Sequence, residues 1–199
     1  GKTAFLSDNI FAKKDAIDGI SLFKIGDNKV QNLKVKEAFE FRSGYPGKFF
    51  AVKSGANKIF VFENESLKKN FKVKVKNIID FDIYSSEFAM GVLSEDDGYR
   101  LNLFGERAKN LGSYKLPDDF DADKIRIIPE LNSFLSWKVS VSKGNKKSNF
   151  NIELWSLDSL KKEKIFEGLK STISSVYYDN RRGLLLASSE DGTIKIWSV

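Results

Sequence analysis

The residues best suited to chemistry in this chain are carboxylates. They gather in three places: Asp15 and Asp18, the run SEDDG at 94–98, and LPDDFDAD at 116–123. Two carboxyl groups flanking a sugar can hydrolyse a glycosidic bond, one as the acid and the other as base or nucleophile. Asp and Glu are equally the ordinary residues of β-turns, because their short side chains bond to the neighbouring backbone. Histidine and cysteine are both absent. That removes Ser-His-Asp catalysis, thiol nucleophiles, disulfides and the usual zinc ligand sets. Gly1-Lys2-Thr3 has the letters that end a phosphate-binding loop, but no glycine-rich strand–loop–helix surrounds them. No cofactor or metal is expected, and the chain is read as a non-enzyme.

The other reactive feature is positive charge. There are 33 Lys and Arg against 27 Asp and Glu, a net charge of +6. The lysines concentrate at Lys34 and Lys36, at Lys68, Lys69, Lys72, Lys74 and Lys76, and at Lys161, Lys162 and Lys164. In FKVKVK (71–76) they alternate with Phe71, Val73 and Val75, so Lys72, Lys74 and Lys76 share one strand face. Such a face suits nucleic acid or an anionic membrane. Lysines on an exposed outer strand also prevent edge-to-edge aggregation. No basic leader followed by an apolar stretch is present, and no apolar run is long enough for a membrane helix. A cytoplasmic, intracellular location is therefore expected.

The elements that must carry these residues come from an internal repeat. GISLFKI (19–25), KIFVFEN (58–64), YRLNLFG (99–105), NIELWSL (151–157) and TIKIWSV (193–199) share one pattern. Each has two apolar residues at alternate positions and then an aromatic: Phe23, Phe62, Phe104, Trp155 and Trp197. Alternation marks strands packed on at least one face. Upstream of each lies a second strand with a large apolar residue before a small one: Phe11-Ala12, Phe50-Ala51, Phe88-Ala89, Leu135-Ser136 and Leu186-Ala187. Between the two strands stand turn pairs: Asp18-Gly19, Ala56-Asn57, Asp97-Gly98, Ser148-Asn149 and Asp191-Gly192. Asp-Gly predicts a tight hairpin with both central residues at positive φ. Flanking strands complete a four-stranded antiparallel unit of about 40 residues. Nothing has helical periodicity, so the chain is all-β.

This pattern resembles the WD-repeat (WD40) β-propeller, in a divergent form. SSVYYDNRRGLLLASSEDGTIKIWSV (174–199) carries the resemblance best, and NIELWSL second. Ser198 and Ser156 stand where the family's Trp-Asp has its aspartate, and the family's Gly-His dipeptide has no counterpart. The resemblance implies a buried network in which Asp191, Trp197 and a hydroxyl from Ser188 or Ser189 take part, lacking its histidine. The repeat units themselves make five blades, at 3–37, 38–76, 77–122, 123–171 and 172–199, as one domain or segment. Nineteen strands are counted where five full blades would have twenty. An incomplete ring, or part of a larger seven-bladed propeller, is the expectation, with the missing strand donated by another segment or by a partner chain, and a complete five-bladed ring is the third possibility.

The function implied is a non-catalytic protein-interaction scaffold with protein partners. The alternatives are a lysine-rich rim binding nucleic acid or anionic lipid, and a carboxylate hydrolase. Arg181-Arg182-Gly183 is similar to the Phe-Arg-Arg-Gly motif of phosphoinositide-binding propellers, with Asn180 in place of phenylalanine and at a different point of the blade. Trp137 follows the small residue of its strand and reads either as a packing residue or as an interface contact.

Overall fold

A computed structural model describes residues 3–7, 10–14, 19–24, 30–33, 35–43, 48–84, 89–139 and 150–199. Asp15, Asp18, Lys34, Phe88, Ser148-Asn149 and the Gly1-Lys2 pair lie outside the described residues. The fold is an all-β propeller type with five antiparallel blades, four of four strands and one of three. The chain divides into two compact units, Gly1–Lys115 and Leu116–Val199.

The first unit holds three blades. They are β1 (Thr3–Ser7), β2 (Ile10–Lys14), β3 (Ile20–Lys24) and β4 (Val30–Leu33); β5 (Ala38–Ser43), β6 (Phe49–Ser54), β7 (Lys58–Glu63) and β8 (Lys69–Lys74); and β9 (Ile78–Ile83), β10 (Met90–Glu95), β11 (Tyr99–Phe104) and β12 (Asn110–Lys115). The second unit holds β13 (Lys124–Ile128), β14 (Ser133–Trp137), β15 (Ile152–Ser156) and β16 (Lys162–Phe166), then the three-stranded blade of β17 (Ile173–Asp179), β18 (Leu184–Ser189) and β19 (Ile194–Ser198). In every blade the strand order follows the chain order. Short connections allow only such meanders.

Three of the five third strands, β3, β7 and β15, bury their alternating apolar pair under the next blade of their unit. Ile20 and Leu22 pack with Phe41, Phe50, Val52 and Phe62 of the second blade. Ile59 and Val61 pack with Phe81, Met90, Val92 and Phe104 of the third. Ile152 and Leu154 pack with Val176, Leu185 and Ala187 of the fifth. The third-strand aromatic faces the other way, opposite a large apolar residue of the second strand. The cross-strand pairs are Phe11–Phe23, Phe50–Phe62, Met90–Phe104, Phe134–Trp155 and Leu185–Trp197. Phe11 stacks on Phe23 at 4.7 Å, Phe50 on Phe62 at 5.1 Å, and Phe134 on Trp155 at 6.3 Å between centroids.

This register corrects the small-residue series. The residue after the aromatic's partner is Ala12, Ala51 or Gly91 in the first unit, but Leu135 or Leu186 in the second. Ser136 and Ala187 are one position further on and therefore point to the opposite face. In the blade contacts within each unit this position is small in the first, Ala12 and Ala51, and branched in the second, Leu135.

The hairpin turns also differ from expectation. Glycines 55, 98 and 192 have φ of +60°, +84° and +83°, while Asp97 and Asp191 are not at positive φ. Only one residue per turn needs the left-handed region, where glycine carries no Cβ penalty. In the second blade it is Gly55, not the Ala56-Asn57 pair. At 189–193 the Gly192 N–H donates to Ser189 O and the Ser189 N–H to Thr193 O, closing a three-residue loop with a bulge.

Candidate interaction surfaces

The fifth blade starts from its hairpin. The Asp191 carboxylate accepts from the Ser189 hydroxyl and, at 2.9 Å, from the Thr193 N–H. These bonds, the Ser189 hydroxyl first, hold its carboxyl below the usual carboxylate range. Ser188 bonds instead to Ser174. Of the implied network, Asp191 and one hydroxyl are joined, but the chain of bonds stops at Thr193. Trp197 packs against Phe166 at 5.8 Å. An indole-to-hydroxyl bond does occur one blade earlier, where Trp155 Nε1 donates to Ser136 Oγ at 3.0 Å. Asp191 thus acts on the turn. A group with a depressed folded pKa contributes stability above its unfolded value of about 4 and loses it as pH falls through the folded value. Amide exchange at Thr193, corrected for intrinsic rates, should stay level from neutral pH down to that range and quicken below it. Asp191→Ala should show the quick rate at every pH.

Beyond the turn, β19 alternates in a telling way. Lys195 and Trp197 lie half-buried on the side of the fourth blade, whereas Ile194 and Ile196 are 69% and 59% exposed. Their counterparts Ile59, Val61 and Ile152 are fully buried. Tyr177, Leu186 and Ile196 form one cross-strand row, so exposed Tyr177 lies on the same face. On its outer edge β19 has no strand paired to it among the described residues. Thr193 and Val199 bond to β18 and its turn, so by antiparallel alternation the N–H and C=O of Ile194, Ile196 and Ser198 point away. The Ser198 carbonyl receives Lys164 Nζ at 2.8 Å.

The remaining candidates have structural occupations. Trp137, read either as a packing residue or as an interface contact, is buried in the core between the fourth and fifth blades. Arg182 donates to Asp179 at 2.8 Å, and the backbone N–H groups of Arg181 and Arg182 also reach that carboxylate. The arginine pair therefore caps a turn, with Arg181 exposed. Lys76 pairs with Asp96. Lys162 pairs with Glu153 at 2.9 Å and sits 4.9 Å from the Trp155 ring centroid. Lys72 and Lys74 are exposed on β8, as the alternation predicts, and Lys74 lies directly opposite exposed Lys58.

The acidic runs also serve the fold. In LPDDFDAD, Leu116, Phe120 and Ala122 are buried, and Phe120 meets Trp155 edge-on at 5.2 Å. Its carboxylates tie down the loop: Asp121 pairs with Lys138, and Asp123 accepts from the Val139 N–H at 3.0 Å. Among the described residues no group of three or more carboxylates is placed to hold a metal ion.

One charged cluster escapes sequence reasoning. Arg42 of β5 donates to Asp80 of β9 at 2.7 Å and to Glu40 at 3.2 Å, with Asp82 at 3.9 Å. Asp80 is fully buried and the Arg42 side chain is 18% exposed. Burial works against the guanidinium charge, yet Asp80, Glu40 and Asp82 outweigh it and hold the group above its ordinary value. The guanidinium also lies 5.6 Å from the Phe81 centroid. Lys53 Nζ adds bonds to the carbonyls of Ile78 and Ile79. The second and third blades are thereby tied through their innermost strands.

No helix among the described residues is long and apolar enough to cross a membrane. Comparisons with protein-family models and with curated proteins find no match for this chain.

Proposed function

We propose that the protein is a non-catalytic scaffold of WD-repeat type for protein partners, whose fifth blade takes an added β-strand from a further segment or from a partner chain. The observation that carries this reading is the open edge of β19. Each of β3, β7, β11 and β15 has a fourth strand antiparallel to it on that side, and β19 has none among the described residues. Outward N–H and C=O groups on a half-built sheet recruit an extended segment through main-chain bonds, with side-chain pockets adding selectivity. Three of the four fourth strands, KNFKVK, NLGSYK and KEKIF, are polar and carry lysine. A partner segment of similar character fits the slot.

A synthetic peptide with the sequence KKEKIFEG (161–168) supplies the complement of a third strand ending in Trp-Ser. Added to the intact chain, it should slow amide exchange at Ile194 and Ile196 and change Trp197 fluorescence. Ile196→Pro removes an outward N–H while leaving the β18 ladder in place. That variant should lose the protection and keep its fold. Equal behaviour of parent and variant would sink the strand-addition reading.

A second reading, binding of nucleic acid or anionic lipid, draws on Lys58 opposite Lys74 with Lys72 beside them. Like charges directly across a ladder are destabilising unless an anion neutralises them. Binding of that kind falls steeply with salt, whereas strand addition does not.

A further inference from the structure

We propose that the outer half of the second blade binds a single-stranded nucleic acid, whose phosphates run along the lysines of β7 and β8. This rests on the reading of Lys58, Lys72 and Lys74 as an anion site, and commits it to one class of ligand on one face of one blade.

Lys58, Phe60 and Phe62 alternate on β7, and across from them stand Lys74, Lys72 and Lys69 of β8. Lys72 and Lys74 are about 6–7 Å apart along the strand. The Cβ atoms of Lys58 and Lys74 are about 5 Å apart across it. Lys69 Nζ lies 5.6 Å from the ring centroid of half-buried Phe60. Four ammonium groups thus surround one aromatic ring. Among the described residues, Lys58, Lys72 and Lys74 form no ion pair, whereas Lys76, just beyond β8, pairs with Asp96.

Protection of a sheet edge does not account for this arrangement. It explains lysines on β8, the outermost strand, but Lys58 belongs to β7, which is paired on both sides. Like charges directly opposite each other destabilise a ladder. The third blade has a basic pair in the same place, Arg100 opposite Lys115. There the hairpin SEDDG (94–98) brings three carboxylates, and the guanidinium is bonded to Ser113. The second-blade hairpin, SGANK (54–58), has no carboxylate. In the fourth blade the residues matching Phe60 and Lys69 are Glu153 and Lys162, which pair with each other at 2.9 Å. The second blade keeps its row unneutralised.

The same face turns Phe50, Val52 and Phe62 into the core shared with the first blade, against Ile20, Leu22 and Leu33. The lysines therefore begin where the cover of the first blade ends. Beside them β4 of that blade turns exposed Gln31 to the same side as buried Leu33. A row recessed between the outer strands of two blades admits one extended chain and keeps a flat bilayer off. All four cations are lysines. Ammonium groups meet phosphates as point charges, whereas carboxylates and base edges call for the planar arginine fork. The row suits a phosphate backbone followed without regard to sequence, with Phe60 supplying an apolar contact for a base.

Fluorescence anisotropy of a labelled oligothymidylate of about 12 nucleotides, titrated with the full 199-residue chain, should report binding. Affinity should fall with salt at a logarithmic slope of about −2 to −3, as three or four phosphate contacts to a single strand require. Lys72→Met combined with Lys74→Met should weaken binding about ten-fold and flatten the slope by about 1.4. Lys58→Met should weaken it too, yet unfold at no lower a urea midpoint than the parent, because it relieves the repulsion with Lys74. Lys170→Met, at an exposed lysine between the fourth and fifth blades, makes the same change in net charge and should alter nothing. Equal losses in Lys170→Met and Lys58→Met would mean attraction by bulk charge and would overturn the proposal. Polyglutamate that competes as well as the oligonucleotide at equal charge overturns it in favour of an acidic protein segment. Capture of phosphatidylserine vesicles through these lysines, without the oligonucleotide, overturns it and leaves the anion site standing. Binding of none of the three probes removes both.

Discussion

Arg42→Met should lower the stability of the unit formed by residues 1–115 by about 3–5 kcal/mol. The guanidinium bridges Glu40 on its own strand with Asp80 and Asp82 on the next blade, and Asp80 is fully buried. Removing the cation leaves carboxylates in a poorly hydrated place without their main counter-charge, which costs more than the pair itself contributes. Arg42→Met combined with Asp80→Asn should recover part of the loss. All three tryptophans, Trp137, Trp155 and Trp197, lie in the second unit, so their fluorescence is blind to local damage in the first. Amide exchange in β5 and β9 is the direct measurement. A change below about 1 kcal/mol would mean that the cluster is only a solvated surface pair.

That cluster also shows where a sequence conceals its structure. Glu40 and Arg42 alternate with Phe41 in β5, as Asp80 and Asp82 alternate with Phe81 in β9. Apolar–charged alternation reads as one buried and one wet face. In these inner strands the charged side faces a neighbouring strand of opposite charge, and alternation cannot name a strand's neighbour. The third strands are legible for the opposite reason. Two apolar residues followed by an aromatic fix both faces at once, so all five begin and end within a residue or two of expectation.

The tight loops are hidden differently. Ser-Leu-Lys-Lys occurs at 66–69 and again at 159–162, in both cases leading into a fourth strand. Leu67 and Leu160 have φ of +55° and +54°. Each donates its N–H four residues back, to Glu63 O and Ser156 O, while Ser66 and Ser159 accept from the backbone of Lys68 and Lys161. A leucine in the left-handed region costs about 1–2 kcal/mol, and no propensity rule would place one there. Repetition of the four letters was the available signal. Phe120 was concealed by its acidic neighbours in LPDDFDAD, where charge density suggests a solvated turn and not a plug over an indole.

Trp155→Ala should cost the second unit about 3–5 kcal/mol, whereas Trp197→Ala should cost less than about 2 kcal/mol. The resemblance that identifies a repeat gives the opposite ranking, because the last hairpin preserves its motif best. Packing decides otherwise. Trp155 is 1% exposed, stacked on Phe134, met edge-on by Phe120, covered by the Lys162 ammonium and bonded to Ser136. Trp197 is half-buried with a tilted phenylalanine beside it, and its Asp191 neighbour serves only the turn. Trp155→Phe separates the two contributions at the better site. It keeps an aromatic against Phe120 and Phe134 but strands the buried Ser136 hydroxyl, at about 1–3 kcal/mol. Adding Ser136→Ala should then return part of that loss, since neither partner is left waiting for the other. Urea unfolding followed by the remaining tryptophans ranks all four variants. If Trp197→Ala proves the more damaging, the contact of Trp197 with Phe166 and the core between the fourth and fifth blades carries more of the unit's stability than the core around Trp155.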